Sequence, residues 1–134
     1  MNAALIRLVW RRASDCCEYC QMPQAFDRTP FEIDHIISEK HKGPTVASNS
    51  CLSCFYCNSF KGSDIGSIDE VTRKLTPLFN PRRHKWSQHF RWQGAYLVGR
   101  TPRGRITVEL LKINDPFRVE LREELMVEGL FPPT

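Results

Sequence analysis

Two Cys-x-x-Cys pairs, Cys17/Cys20 and Cys54/Cys57, stand 33 residues apart and constrain this chain more than any other feature. Zinc takes four soft or borderline ligands in a tetrahedron, and two tight turns that each aim a pair of thiolates at one point supply them. A structural zinc contributes about 10 kcal/mol or more to a small fold, so such a site can hold together a region with little core of its own. Six cysteines in a short chain also fit three disulfides in a secreted scaffold, and a lone C-x-x-C fits a redox pair. The matched pairs favour zinc over both. So does the stretch from Met1 to Ala13, where Arg7, Arg11 and Arg12 interrupt the apolar pattern and no small-residue cleavage site follows. A cytoplasmic location is expected. Cys16 lies one residue too far from Cys20 for a standard knuckle, so Cys16 and Cys51 read as small buried hydrophobes. With all four positions filled by protein, the zinc has no place for substrate and is structural.

A chain of 134 residues, 41% hydrophobic and 25% charged, can bury a real core as one domain or as a small core with a lobe packed on it. No apolar run approaches the ~20 residues of a membrane span. The charge is uneven. Residues 1–60 carry six basic and six acidic side chains, residues 61–105 ten and three, and residues 106–134 three and six. A basic segment beside a metal-binding one fits a polyanionic partner, nucleic acid first, about as well as it fits a plain solvated surface.

The pattern predicts a helix over 3–13, with Leu5, Leu8, Val9 and Ala13 on one side, and a first knuckle over 15–22. A short strand follows over 31–37 (FEIDHII), then a loop over 41–50 punctuated by Gly43-Pro44. A second strand over 51–55 leads through the second knuckle into a helix from about Cys57 that Gly62 ends. Residues 63–85 read as polar and irregular, and residues 88–100 as a hairpin turning near Gln93-Gly94. Thr101-Pro102 and Asp115-Pro116 each pair a capping residue with a proline at the first helical position. The second of these helices repeats Phe117, Leu121 and Leu125 at i, i+4, i+8 and closes at Gly129. The expected organisation is a metal-binding part over 1–62 and an α+β extension over 63–134.

Inside the zinc brackets lie Asp34-His35, Asn49 and Asn58. Phosphodiester hydrolysis needs an activated water, neutralised phosphate charge and help for the departing oxygen. His35 can take a proton near neutral pH, since the reference pKa of histidine is about 6.5. Asp34 offers a hard anionic oxygen and Asn58 an amide oxygen, a set that suits Mg²⁺ or a similar ion with positions left for water and phosphate. Neighbouring strand residues point to opposite faces, so Asp34 and His35 can serve one phosphate only if the strand bends or ends there.

Cys-Glu-Tyr-Cys (17–20), Phe-Glu-Ile-Asp-His-Ile-Ile (31–37), Asn49 and Cys-x-x-Cys-Asn-x-x-Lys-Gly (54–62) together resemble the HNH endonucleases of the ββα-metal, or His-Me finger, superfamily. Leu-Phe-Asn-Pro-Arg-Arg (78–83), Trp86, His89-Phe90 and Gly-Arg-Ile-Thr-Val (104–108) extend the likeness toward a bacterial subgroup of that family. The resemblance implies an α+β fold: a zinc-stapled, treble-clef-like ββα core with an N-terminal helix and a C-terminal hairpin-plus-two-helix extension. It implies that His35 is the general base, that Asp34 and Asn58 hold the catalytic Mg²⁺ or Mn²⁺, and that Asn49 orients the loop carrying His35. Asn58 takes the place of a histidine found in many members, and Ser50 stands where leucine is frequent.

The partner so implied is DNA, with RNA not excluded, and a homodimer would be needed to cut both strands at once. Lys61, Arg82, Arg83 and Lys85 are the expected nucleic-acid contacts, while Trp86, Phe90 and Trp92 are assigned to packing. Two rivals make different predictions. A non-catalytic zinc module would bind nucleic acid or protein without cleaving, and a thiol oxidoreductase would lose its activity on binding zinc.

Overall fold

A computed structural model of the chain describes residues 1–133. The order of elements is α1 (Ala3–Arg12), β1 (Glu32–His35), β2 (Ser50–Ser53), α2 (Phe55–Lys61), β3 (Gly66–Ile68), β4 (Leu75–Pro77), α3 (Trp86–His89), β5 (Phe90–Gln93), β6 (Tyr96–Gly99), α4 (Pro102–Leu110) and α5 (Pro116–Val127). The fold is α+β, with three separate antiparallel strand pairs, β1–β2, β3–β4 and β5–β6. None of the described helices is long and apolar enough to cross a membrane.

Helix α1 starts where Asn2 Oδ1 accepts the Leu5 amide at 2.8 Å, satisfying one of the free N–H groups of the first turn. Its inward face buries Val9 completely, and Arg12 in its last turn donates to the carbonyls of Ala47 and Ser50. The helix is thereby fastened to the start of β2. The first knuckle closes through Cys17 N–H to Met22 O and Gln21 N–H to Cys17 O, both 2.9 Å.

Strand β1 pairs with β2 in the register Glu32↔Ser53, Asp34↔Cys51 and His35↔Ser50. All four residues of β2 are buried. Ser50 tolerates this because its hydroxyl donates to Val46 O at 2.7 Å. The second strand ends at Ser53 and the helix begins at Phe55, two residues earlier than the knuckle spacing alone predicts. Cys54 is the N-cap of α2, and its sulfur accepts the Cys57 amide at 3.4 Å. Gly62 ends α2 as expected, at φ +50°, a backbone angle that glycine adopts without a Cβ penalty.

Residues 63–85 contain a hairpin that the sequence reading missed. Strands β3 and β4 are three residues each, and their Ile68 and Leu75 are 52% and 76% exposed, so no apolar alternation announces them. Polar chemistry closes the hairpin. Asp69 accepts the Thr72 amide at 2.9 Å and receives a two-pronged contact from Arg105, at 2.9 and 3.0 Å.

Helix α5 also departs from its sequence pattern. Phe117 and Leu121 are 46% and 36% exposed, whereas Arg118, Val119 and Arg122 face inward. The indoles pack as expected, with Trp86 and Trp92 donating to Tyr19 O and Gln21 Oε1 of the first knuckle, each at 2.9 Å. One buried cluster runs from Val9 and the four knuckle cysteines through Leu52, Phe79 and Phe90 to Ile106, Ile113 and Phe131.

Candidate active site and metal centre

The two knuckles bring the sulfurs of Cys17, Cys20, Cys54 and Cys57 within 4.8 Å of one another, all four buried. Sulfurs at the corners of a tetrahedron around zinc, with bonds of about 2.3 Å, are about 3.8 Å apart. Cys20 and Cys54 are separated by 3.8 Å, far beyond the ~2 Å of a disulfide. Cys57 is pushed well above its ordinary value by burial and by the neighbouring thiols of Cys17, Cys20 and Cys54. Cys20 is pushed well below it by hydrogen bonds with Cys17, Cys54 and Cys57, and four thiolates this close repel one another unless a cation lies between them. The donor set and spacing fit zinc.

The second cluster forms where β1 ends. His35 is its last residue and still pairs with Ser50, so the strand ends only after it, with the Asp34 carboxylate turned to Tyr19 and Lys61 and the His35 ring to Thr45. The chain leaving His35 is braced by Asn49, whose backbone carbonyl accepts Ile36 N–H and whose Oδ1 accepts Ile37 N–H, both at 2.9 Å. Asn49 Nδ2 donates to Ile37 O and Pro44 O, also at 2.9 Å. Gly43 lies under the same loop. A Cβ there would sit 1.7 Å from Ile37 O, so only glycine admits this approach.

Asp34, His35 and Asn58 line one open cleft of about 410 Å³, together with Ile33, Ser38, Glu39 and Gly62. Asn58 Nδ2 donates to Glu32 Oε2 at 2.5 Å. A carboxylate can only accept, so the amide nitrogen faces Glu32 and Asn58 Oδ1 remains available. His35 Nε2 lies 2.9 Å from Thr45 Oγ1 and 3.4 Å from Glu39 Oε1, while Thr45 Oγ1 donates to Glu39 at 3.4 Å.

Asp34 is more enclosed than the sequence reading foresaw. Its Oδ2 accepts from Tyr19 Oη at 2.9 Å and pairs with Lys61 Nζ at 3.1 Å, and Cys51 Sγ lies 3.7 Å away. Its Oδ1 has Lys61 as its single protein partner, at 3.3 Å. Burial pushes the carboxyl of Asp34 up, against the opposing pull of Lys61 and of hydrogen bonds from Tyr19 and Cys51.

This corrects the expectation for Lys61. The side chain is 1% exposed, and its ammonium is held by Asp34 and by His35 O at 3.0 Å. It faces inward and is out of reach of a phosphate at the surface. Arg82 is partly buried and paired with Glu18. Arg83 and Lys85 are exposed. Arg83 and Arg103 line a second cleft together with Ile36 and Ile37, the residues that follow His35.

Sequence reasoning did not find Tyr19, Glu32, Glu39 or Thr45 at this cluster. Glu32 carried a usable signal, since it shares a strand face with Asp34. Thr45 carried none, because only the folded loop brings it to His35.

Residues 17–64 match the family model for HNH endonuclease, a span that holds both knuckles and the whole Asp34, His35, Asn49 and Asn58 set. No curated protein and no solved structure matches the chain.

Proposed function

We propose, from the premise that residues 17–64 form an HNH endonuclease domain, that this protein is a metal-dependent endonuclease that hydrolyses phosphodiester bonds of DNA. The observation that carries this reading is the single cleft lined by Asp34, His35 and Asn58, with the Asn58 oxygen uncommitted. Asp34 and Asn58 would hold Mg²⁺ or Mn²⁺ through oxygens alone, as hard cations require. When bound, that ion supplies charge neutralisation at the phosphate and at the departing oxygen.

The proton chemistry falls to His35. Glu39 can only accept, so Thr45 Oγ1 gives it the hydroxyl proton and in turn accepts from His35 Nε2–H. That chain fixes the tautomer and leaves Nδ1 as the lone pair that takes a proton from the attacking water. Asn49 keeps the His35 loop in register through its four hydrogen bonds. Arg83 and Arg103, lining the neighbouring cleft with Ile36 and Ile37, suit a flanking phosphate, and exposed Lys85 adds to the basic surface. One such site cuts one strand, so a double-strand break would need a second copy of the chain or a second visit.

One observation favours a non-catalytic nucleic-acid module instead. The charge of Asp34 is already balanced by Lys61. Plasmid nicking with Mg²⁺ or Mn²⁺ separates the two readings. The nuclease reading expects relaxed circles from the native chain and a loss of at least 100-fold in His35→Ala. Equal rates in the two proteins reject His35 as base, and no cleavage by the native chain with any divalent ion rejects the enzyme.

A further inference from the structure

Arg118 and Arg122, one turn apart on α5, are 4% and 1% exposed. Buried guanidinium groups persist where an opposite charge and full hydrogen bonding compensate them. Among the described residues neither arginine has a carboxylate within ion-pair distance. What Arg118 does have is sulfur. Its Nη2 lies 3.0 Å from Cys57 Sγ and 3.8 Å from Cys54 Sγ. The shorter of these is a length usual for an oxygen acceptor, although sulfur is a larger atom.

The other terminal nitrogen of Arg118 is also placed. Nη1 reaches Leu111 O at 2.7 Å and Lys112 O at 3.2 Å, and the guanidinium carbon stands 5.7 Å from the centre of the Tyr56 ring. Arg122 lines one cleft with Cys20, Cys54 and Arg118, and it is anchored on Ala95 O and Ile113 O, both at 2.9 Å, with Trp92 against its face at 5.2 Å.

The geometry points to Arg118 as the outer-shell partner of the Cys17/Cys20/Cys54/Cys57 zinc centre, with Arg122 as its electrostatic support, so that α5 is part of the metal site. Four thiolates around a dication leave two negative charges, and the two arginines supply two positive ones. An N–H donated to a zinc-bound thiolate stabilises its charge and orients it, and outer-shell partners of this kind are worth about 10- to 100-fold in metal affinity. The dependence runs both ways. Arg118 holds the sulfurs of Cys54 and Cys57, and those sulfurs, fixed by the metal, hold Arg118 in turn, so loss of zinc should free α5 from the knuckles. Docking of the C-terminal helix is thereby conditional on zinc. This inference rests on the zinc site and is independent of nuclease activity.

The test uses the full chain loaded with Zn²⁺ or with Co²⁺, whose thiolate-to-metal charge-transfer bands report on the sulfurs. Arg118→Met keeps the length of the side chain and removes the charge, Arg118→Lys restores a charge, and Val119→Ala loosens the same helix without touching sulfur. Expected are a 10- to 100-fold loss of zinc to a competing chelator in Arg118→Met, partial rescue in Arg118→Lys, and a displaced cobalt charge-transfer band in both. Val119→Ala should leave that band in place. Chelation of the native protein should expose the amides of residues 116–127 to hydrogen exchange. If Arg118→Met does not fold, the band in Arg118→Lys decides. An unmoved band there, unchanged zinc retention in Arg118→Met, or the same loss and shift in Val119→Ala overturns the assignment.

Discussion

Replacing Lys61 with methionine tests how the cleft at the end of β1 is held together. The ammonium of Lys61 is 1% exposed and touches both oxygens of Asp34, at 3.1 and 3.3 Å, and the carbonyl of His35 at 3.0 Å. Asp34 is itself 6% exposed. Removing one member of a buried ion pair strands the other charge and costs about 3–5 kcal/mol. In Lys61→Met, Asp34 keeps only Tyr19 Oη and the weak donor Cys51 Sγ. In Asp34→Asn, Lys61 keeps the His35 carbonyl and at most a neutral amide oxygen, and loses its counter-charge.

Each single variant should therefore lose about 3–5 kcal/mol. For a domain of this size about 3–5 °C is lost per kcal/mol, so melting should fall by roughly 10–20 °C. The double variant strands no charge, and its loss should be smaller than the sum of the two by about 2 kcal/mol or more. Urea unfolding in zinc-saturated buffer, with all four proteins at one concentration, measures the cycle. Single variants losing less than 1 kcal/mol, or losses that simply add, would falsify the claim that this pair organises the end of β1.

Two further outcomes are expected. Thr45→Val removes the hydroxyl that stands 2.9 Å from His35 Nε2; if His35 is the base, as proposed, nicking should slow about 10-fold while the melting temperature stays within a few degrees, and an unchanged rate would remove Thr45 and Glu39 from the mechanism. The contact with Arg105 holds the carboxyl of Asp69 well below its usual range, so its contribution is complete above about pH 4, the unfolded value, and is lost as pH falls toward the depressed one; the acid limb of an unfolding curve should be shallower in Asp69→Asn, and an identical limb would show that the β3–β4 hairpin does not depend on this charge.

What the sequence disclosed depended on the range of the chemistry involved. Local signals were sufficient wherever neighbours in the chain decide the structure. Thr101-Pro102 and Asp115-Pro116 at the starts of α4 and α5, and Gly62 at the end of α2, stand where capping preferences put them. The knuckle spacing was equally legible, because a Cys-x-x-Cys turn carries its geometry within four residues. Long-range pairing was not. Lys61 reads as a surface cation until Asp34, 27 positions earlier, is found against it. The apolar stripe of α5 named only part of the inward face: Leu125 packs against the core, Phe117 and Leu121 do not, and the sulfurs that admit Arg118 lie 61 and 64 positions away. The β3–β4 hairpin escaped because Arg105, far along the chain, holds Asp69 where alternating apolar residues would normally hold a strand pair.

Asp34 has two claims on one carboxylate, and the way it divides them bears on what the cleft can bind. Tyr19 and Lys61 share Oδ2, while Oδ1 meets only Lys61, at the longer distance of 3.3 Å. A carboxylate has about four lone-pair directions, so Oδ1 keeps one without a protein donor. With the Asn58 oxygen also uncommitted, the cleft offers a divalent ion one anionic and one neutral oxygen from protein. The ammonium of Lys61 lowers the negative charge that such an ion would feel, which weakens binding in the absence of substrate. A phosphodiester brings the missing negative charge with it. Under the proposed nuclease reading, an ion that binds together with nucleic acid would therefore be favoured over one that is resident beforehand. In calorimetry, Mg²⁺ should bind the free protein weakly and the protein with an uncleavable phosphorothioate duplex at least 10-fold more tightly. Equal affinities in the two titrations would mean that Lys61 does not modulate the site.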